Sequence, residues 1–174
     1  KILPGVGDLI DGSVSVQQLR DVRLEDLLGR KPISLDDAQI SSDLRDKRVL
    51  VSGAGGSIGS EICRQVAKFQ PGKLILFENA ETPLFLIEKE LTETYPELTV
   101  VPIIGDIRNP ARVDVIFDEQ LPQVVFHAAA YKHVPMMELN PAEAVNNNVR
   151  GTKMLADAAD SFQVETFVMV STDK

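Results

Sequence analysis

The sequence predicts an α/β fold built on a doubly wound parallel sheet with strand order 3-2-1-4-5, preceded by a helical arm. Three observations support this prediction. From Arg48 onward, short apolar runs alternate with helical segments, the runs are apolar on both faces, and a glycine-rich stretch follows the first run. Such strands are typical of a parallel sheet covered on both sides, and right-handed crossovers leave few other strand orders.

The five apolar runs are predicted to be fully buried strands, with helices between them. Asn109 is a predicted helix N-cap, and Pro110 suits the first turn that follows it. The predicted helices run approximately over residues 58–69, 83–95, 109–120 and 141–160. The predicted strands are RVLVSG (48–53), KLILFE (73–78), TVVPIIG (99–105), QVVFHAAA (123–130) and TFVMVS (166–171).

Residues 1–46 have a different texture. They hold short amphipathic pieces such as VSVQQLRDV and RLEDLLGR, separated by Gly and Pro, and no apolar run long enough for a strand of a sheet. We interpret this region as a helical arm or linker from an upstream domain. Neither end has the features of a natural terminus, so we expect the chain to be a piece of a longer protein.

Composition narrows the classes of function. The formal net charge is -8 with no local run of Lys and Arg, which argues against a nucleic-acid-binding surface. The single cysteine, Cys63, excludes a disulfide framework, fits a reducing compartment and is predicted to be a small core residue. No apolar run approaches the roughly 18 residues of a membrane span. We therefore expect this piece to be soluble.

A glycine-rich loop follows the first predicted strand. In SGAGGSIGSEI, Gly53, Gly56 and Gly59 are spaced as GxxGxxG, which is typical of a Rossmann-type dinucleotide-binding turn. Glycine at these places allows a tight turn, lets the backbone approach a pyrophosphate and lets the helix pack closely. A helix that begins near Ser57 would point free N–H groups at the phosphates. The loop therefore predicts how an acidic chain holds an anion.

An acidic residue closes the second predicted strand. Glu78 ends LILFE about 20 residues beyond the loop, where a carboxylate accepts hydrogen bonds from the ribose hydroxyls of a dinucleotide. This position favours NAD over NADP, and NADP is the alternative. The structural alternative is that Glu78 is a solvated acid at a strand end.

Five motifs stand at successive strand ends or on the next helix: the glycine loop, GDIRN, HAAAYKHVP, NNNVRGT and STDK. In this order they resemble the extended short-chain dehydrogenase/reductase superfamily. More narrowly, they resemble the nucleotide-sugar 4,6-dehydratases of bacterial polysaccharide biosynthesis, which act on UDP-N-acetylglucosamine. VSVQQLRDVRLEDLLGR is similar to the junction that joins membrane-spanning and upstream domains to the dehydratase domain in long members of that family.

The resemblance implies a set of cofactor contacts. Asp106 and Ile107 would flank the adenine, with the carboxylate accepting a hydrogen bond from the adenine amino group, and an ordinary Asp turn is the alternative. The alanines after the fourth strand would let the cofactor lie against the backbone, although small residues also serve close helix packing. The implied cofactor-binding residues are Gly53, Gly55, Gly56, Ser57, Ile58, Gly59, Glu78, Asp106, Ile107, Ala128, Ala129, Ala130 and Ser171.

The loop after the fourth strand supplies the implied substrate contacts. Tyr131 and Lys132 would face the nicotinamide and the sugar, and Lys132 would neutralise a diphosphate unless it is a solvated surface lysine. Asn148 is expected to hydrogen-bond backbone rather than substrate. His127 and His133 have no nearby acid or cysteine ligand, so we predict no metal site.

STDK carries the implied catalytic residues. The family's reaction moves a hydride from sugar carbon 4 to the nicotinamide, eliminates water across carbons 5 and 6, and returns the hydride to carbon 6. By resemblance, Lys174 is the base for the carbon 5 proton, Asp173 is the acid for the departing hydroxyl, and Thr172 hydrogen-bonds the carbon 4 oxygen. A strand-end turn with solvated charges is the alternative.

The resemblance also implies a division of the chain. Residues 47–174 would be an NAD(P)-binding domain cut before its C-terminal substrate lobe, so we predict that this piece alone is inactive. We expect the longer protein to be a homo-oligomer that is anchored in the bacterial inner membrane, with this domain in the cytoplasm. The alternatives are a nucleotide-sugar 4-epimerase and a noncatalytic dinucleotide-binding module. Asp173 and Lys174 favour the dehydratase, because an epimerase needs no acid and base pair for elimination.

Overall fold

A computed structural model of the chain describes residues 37–171. Within this range five parallel strands form one sheet in the order β3-β2-β1-β4-β5, which confirms the predicted fold class and strand order. Most of the predicted arm, residues 1–36, lies outside the described residues. In chain order the elements are α1 (Asp37–Leu44), β1 (Arg48–Ser52), α2 (Ser57–Lys68), β2 (Lys73–Glu78), α3 (Glu81–Thr94), β3 (Val100–Ile104), α4 (Pro110–Gln120), β4 (Val124–His127), α5 (Val134–Leu139), α6 (Pro141–Ala144), a π-helix (Val145–Gly151), α7 (Thr152–Ser161) and β5 (Thr166–Met169).

Helices cover both faces of the sheet, so the core has two halves. Val49 and Val51 of β1 are in the half that contains Cys63 of α2, whereas Leu50 between them is in the half that contains Phe117 of α4. Because successive side chains of a strand point to opposite faces, a strand that is apolar throughout needs cover on both sides. The continuous apolar runs of the sequence are a consequence of this arrangement.

The prediction of five fully buried strands is wrong for β3 and β5. These strands lie at the two edges of the described sheet, and Ile104 of β3 and Met169 of β5 are each 52% exposed. The inner strands β1 and β2 are almost wholly buried. An edge strand has a neighbouring strand on one side only, and helices within residues 37–171 cover it less completely. Apolar composition alone does not show which strands become edges.

The helices agree with the prediction except between β4 and β5. The predicted helix over 141–160 is three successive segments, α6, a π-helix and α7, and the short helix α5 before them was not predicted. Six residues are too few for an apolar period to be recognised. Asn109 caps α4 as predicted, since its side chain accepts a hydrogen bond from the Arg112 backbone N–H. In the part of the chain described here, no helix has both the length and the apolar character required to cross a membrane.

Helix α1 lies inside the region predicted as an arm and packs on the sheet domain. Leu44 is 6% exposed and belongs to the same half of the core as Val49, with Ile40 packed against its edge. Just after the helix, the Lys47 ammonium pairs with the Glu165 carboxylate at 2.7 Å, next to the start of β5. The last helix before β1 therefore contributes to the core.

Cys63 is fully buried in α2, as predicted for a small core residue. Burial raises the pKa of its thiol to about 12. Because the thiolate is the reactive form, this cysteine is inert at neutral pH in the folded domain.

Candidate cofactor and substrate site

The parallel topology brings the predicted site residues to one edge of the sheet. The glycine loop follows β1, Glu78 closes β2, Asp106 follows β3, Ala128 follows β4 and Ser171 follows β5. The strand order places the glycine loop between the ends of β2 and β4. Ligands of open parallel sheets bind in the crevice at these carboxyl ends. The predicted catalytic residues Thr172, Asp173 and Lys174 lie outside the described residues.

The glycine loop folds back against its neighbours so closely that Gly53 and Gly59 have no room for a β-carbon. Gly53 has a φ of +72°, and a β-carbon there would meet the backbone of Ala128 and Ala129 at 2.8 Å. A β-carbon at Gly59 would overlap the carbonyl oxygen of Gly53 and lie 2.6 Å from its carbonyl carbon. The left-handed φ and the two backbone contacts explain why glycine is needed at both positions.

The start of helix α2 is open to a ligand. Gly56 is its N-cap and offers no side-chain acceptor to the first-turn N–H groups, which begin at Ser57. Gly56 and Ser57 are exposed, and Ile58 is 50% exposed. An uncapped helix start combines free N–H donors with the positive end of the helix dipole. This arrangement suits a phosphate or pyrophosphate group.

Glu78 holds the glycine loop through its carboxylate. One carboxylate oxygen accepts a hydrogen bond from the Gly55 backbone N–H at 3.0 Å, and the other accepts from Asn79 and Ala80 at 2.9 and 3.1 Å. The side chain is therefore more than a solvated acid at a strand end. A carboxylate has about four acceptor positions, so three backbone bonds leave capacity for a hydroxyl of a ligand. The predicted bond to a ribose stays a prediction.

Asp106 is bound by a neighbouring arginine. Arg108 donates from Nε to both carboxylate oxygens at 3.0 Å and from Nη2 to Oδ2 at 2.7 Å. The Arg108 hydrogen bonds and charge lower the pKa of Asp106, against the opposing effect of burial, so the carboxylate is ionised at neutral pH. Ile107 is 6% exposed and packs against Gly151 of the π-helix. Its predicted contact with adenine is not tested by this geometry.

The loop after β4 is held by two asparagines of the π-helix. Asn148 accepts a hydrogen bond from the Tyr131 backbone N–H and donates one to the Tyr131 carbonyl, both at 2.9 Å. Asn147 is 5% exposed and donates to the Ala129 carbonyl at 3.4 Å and to Asn148 at 3.0 Å. These contacts confirm that Asn148 bonds backbone. A π-helix inserts an extra residue into a turn, and this one carries both amides that hold the loop.

The substrate residues predicted on this loop are accessible. Tyr131 is 37% exposed, and Lys132 is exposed and makes no ion pair within residues 37–171. Ala130 before them is also exposed, whereas Ala128 and Ala129 are half-buried. The same described range contains no group of three or more His, Cys, Asp or Glu side chains that could hold a metal ion.

The Asn148 bonds predict a local effect of mutation. We expect Asn148→Ala to lower the free energy of unfolding by about 1–3 kcal/mol, because the Tyr131 N–H and carbonyl lose their partners. Amide hydrogen exchange at Tyr131 should become faster. Asn146→Ala is the matched control, since within residues 37–171 no hydrogen bond involves the Asn146 side chain. Equal exchange at Tyr131 in both variants would show that the asparagine does not hold the loop.

Three polar side chains, Ser52, His127 and Thr152, form a row of hydrogen bonds beneath the site. The His127 Nδ1 is 2.7 Å from the Ser52 hydroxyl, and its Nε2 is 2.8 Å from the Thr152 hydroxyl. His127 is 3% exposed and Ser52 is fully buried. Burial lowers the pKa of His127, so the imidazole is neutral at pH 7. These hydrogen bonds join the ends of β1 and β4 to the start of α7.

His127 predicts a pH dependence of stability. The contribution of neutral His127 to the free energy of unfolding is fully present above pH 6.5, the ordinary pKa of histidine. It is lost as the pH falls through the lowered pKa of the folded state. Between these two pKa values the unfolded chain binds a proton that the folded chain does not. The free energy of unfolding should fall by up to about 1.4 kcal/mol per pH unit. Urea unfolding at a series of pH values measures this dependence. The free energy of unfolding of His127→Gln should change less steeply with pH than that of the wild type, whereas the exposed-site control His133→Gln should keep the wild-type dependence. Equal slopes in wild type and His127→Gln would contradict this role.

Several residues that shape the site were not predicted from the sequence. Arg108, Asn147 and Thr152 act through contacts with residues 2, 18 and 25 positions away. A run of three asparagines on an otherwise helical segment is the signal for Asn147, because such residues favour backbone bonds over helix. No comparable signal marks Thr152.

Comparisons of the sequence with known proteins identify its family and several relatives. The model of the family described as polysaccharide biosynthesis protein matches residues 49–174. The chain is 50% identical over 173 residues to the capsular polysaccharide biosynthesis protein CapD of Staphylococcus aureus, covering 99% of this chain and 29% of CapD. It is 31% identical over 129 residues to an inverting UDP-N-acetylglucosamine 4,6-dehydratase of Campylobacter jejuni, covering 74% of this chain and 37% of that enzyme.

Solved structures show the same fold. The structure of Pen from Bacillus thuringiensis superposes with a TM-score of 0.65 at 38% identity, covering 74% of this chain and 38% of that chain. A UDP-glucose 4-epimerase of Thermus thermophilus in complex with NAD superposes with a TM-score of 0.58 at 28% identity, covering 71% and 37%. The chain thus spans less than two fifths of the length of each of these proteins. By its match over most of its length, the chain belongs to the polysaccharide biosynthesis protein family.

Proposed function

We propose that this chain is the cofactor-binding part of a nucleotide-sugar 4,6-dehydratase that converts UDP-N-acetylglucosamine into a UDP-4-keto-6-deoxy sugar for polysaccharide biosynthesis. The proposed cofactor is NAD. The proposed enzyme is the longer protein, in which a substrate lobe follows residues 47–174. The similarity to a UDP-N-acetylglucosamine 4,6-dehydratase and the STDK residues support the reaction, and the relatives' greater length supports the longer protein.

The observation that carries the proposal is the glycine cradle. Gly53 and Gly59 have no room for a β-carbon because the turn brings backbone segments into close contact, helix α2 starts without a side-chain cap, and Glu78 accepts the Gly55 N–H beside them. These features fit the pyrophosphate and the adenosine ribose of a dinucleotide. A turn that only connects a strand to a helix does not require these three features in combination. The NAD complex of the similar epimerase agrees with this choice of cofactor.

The chain's own residues supply the proposed acid and base chemistry. Bound NAD would accept the hydride of sugar carbon 4 and return it to carbon 6. The proton of the carbon 4 hydroxyl would pass to a base of the longer protein outside this chain. Lys174 takes the proton from carbon 5, and Asp173 gives a proton to the hydroxyl that leaves carbon 6 as water, so that a double bond forms between carbons 5 and 6; Lys174 then returns its proton to carbon 5 as the hydride adds to carbon 6. Thr172 donates a hydrogen bond to the carbon 4 oxygen. Lys132 lies exposed on the loop after β4, where its charge would attract the diphosphate of the substrate.

A product assay with the longer protein tests the proposal. Incubation with UDP-N-acetylglucosamine and NAD should give a 4-keto-6-deoxy product that is identified by nuclear magnetic resonance. UDP-N-acetylgalactosamine as the sole product would instead identify a 4-epimerase, an activity that the similarity to UDP-glucose 4-epimerases favours. Absence of turnover with retained NAD binding would favour a noncatalytic module.

Glu78 predicts the cofactor preference. We expect NAD to bind at least about tenfold more tightly than NADP, because a 2′-phosphate would meet the Glu78 carboxylate. Within the described residues no Lys or Arg pairs with this carboxylate to offset the repulsion. Titration of the longer protein with both cofactors measures the ratio.

The matched control is Glu81→Gln, because Glu81 is an exposed acid in the first turn of α3 whose carboxylate accepts a hydrogen bond from the Thr82 hydroxyl and none from the glycine loop. This variant should keep the preference for NAD, whereas Glu78→Gln should reduce it. Equal or reversed affinities in the wild-type protein would contradict the assignment of Glu78.

A further inference from the structure

Arg108 joins two separate parts of the site edge. Its Nε and Nη2 groups bind the Asp106 carboxylate, and its Nη1 donates to Glu143 of α6 at 2.9 Å. Glu143 is 35 positions away in sequence, on the segment that leads into the π-helix. The Arg108 side chain is 27% exposed, so it is not part of the core. The proposed dehydratase chemistry gives this arginine no role.

Arg108 contacts both oxygens of the Asp106 carboxylate. Oδ1 accepts from the Arg108 backbone N–H at 2.8 Å and shares the Nε donor at 3.0 Å. Oδ2 accepts from Nη2 at 2.7 Å and shares the Nε donor at 3.0 Å. Three donors thus occupy about three of the four acceptor positions of the carboxylate, which leaves capacity for one ligand group, and the arginine fork fixes the plane in which the remaining lone pair lies.

We infer that Arg108 is a positioning residue, which orients the Asp106 carboxylate so that its remaining lone pair accepts a hydrogen bond from the exocyclic amino group of the cofactor's adenine. This inference rests on the proposed function only in that the ligand is an adenine dinucleotide. Asp106 is 32% exposed at its side chain, so a ligand group reaches it. A planar fork sets the direction of the carboxylate, which a point charge does not.

Glu143 fixes the position of the Arg108 guanidinium from a second element. Without it, the guanidinium would be held only by a residue two positions away on the same loop. The ion pair with Glu143 connects the guanidinium to α6, and Ile107 packs the same loop against Gly151 of the π-helix. Two contacts from different elements therefore hold the loop that carries Asp106. The effect of Glu143 should have the same direction as that of Arg108 and be smaller, because its side chain is 53% exposed.

The test compares two ligands that differ at the group in question. The dissociation constants of NAD and of nicotinamide hypoxanthine dinucleotide, in which an oxo group replaces the adenine amino group, are measured for the longer protein by calorimetry. The wild-type protein should favour NAD by about tenfold or more, since the bond is to a charged acceptor. Arg108→Gln should reduce this ratio to about threefold or less, and Asp106→Asn should show the value without an ionised acceptor. An arginine with a merely structural role would weaken both ligands equally and leave the ratio unchanged.

Arg112→Gln is the matched control. Arg112 lies four positions further on and donates to the Ile104 carbonyl rather than to Asp106, so this variant should keep the wild-type ratio. If Arg108→Gln does not fold, Glu143→Gln tests the same inference, with an expected reduction of the ratio by about twofold or more. An unchanged or larger ratio in a folded Arg108→Gln variant, or in Glu143→Gln where Arg108→Gln does not fold, would overturn the inference. A wild-type protein that binds neither dinucleotide would instead contradict the proposed function.

Discussion

Lys174→Ala in the longer protein should slow formation of the 4-keto-6-deoxy product by a factor of about 100 or more, the scale that is usual for the loss of a general base. The affinity for UDP-N-acetylglucosamine should change little, because the proposed role of Lys174 is to take the carbon 5 proton. Product formation is followed in heavy water by mass spectrometry. In this variant, deuterium should no longer enter the sugar at carbon 5.

Asp173→Asn is the companion variant and should behave differently. It leaves the base in place and removes only the proposed acid, so exchange at carbon 5 should continue in part while loss of the carbon 6 hydroxyl slows. Measuring product and isotope together separates the two roles. Near-normal turnover of Lys174→Ala would refute the assignment and leave STDK as a solvated turn.

Gly59→Ala should lower the free energy of unfolding by at least about 3 kcal/mol, at the upper end of what overpacking costs. The added β-carbon would overlap the Gly53 carbonyl oxygen and lie 2.6 Å from the carbonyl carbon, so the obstacle is backbone rather than a side chain that can rotate. Relief requires helix α2 to move away from the end of β1. Because the loop between them forms the proposed pyrophosphate site, NAD affinity should fall as well. Urea unfolding of the chain and NAD titration of the longer protein measure the two effects.

Gly56→Ala is the control for the stability effect. A β-carbon there would meet only the Gly53 carbonyl oxygen, at 3.2 Å, and the residue is exposed with φ -72°, which any residue adopts. Its stability should therefore remain within about 1 kcal/mol of the wild-type value. Equal destabilisation by the two substitutions would show that the contact of Gly59 with Gly53 is not the cause.

The parts of the fold that depend on local pattern could be predicted from the sequence. Buried inner strands, the glycine loop and the N-cap Asn109 each follow from a short stretch whose period or residue type is specific. The place of Glu78 at the end of β2 followed from the same pattern. Its bond to the Gly55 N–H was not predictable, because it depends on how closely the loop approaches the neighbouring strand.

The sequence by itself determined that this chain builds a parallel sheet with a dinucleotide-type loop, because apolar runs, helical periods and glycine spacing are local properties. Only the tertiary structure decided which strands are edges, that the π-helix holds the Tyr131 backbone through Asn148, and that Arg108 links Asp106 to Glu143. The last two of these features depend on contacts between residues that are 17 and 35 positions apart in the chain. Such meetings are set by the packing of α6 and the π-helix against the strand ends, and no periodicity of the sequence records that packing.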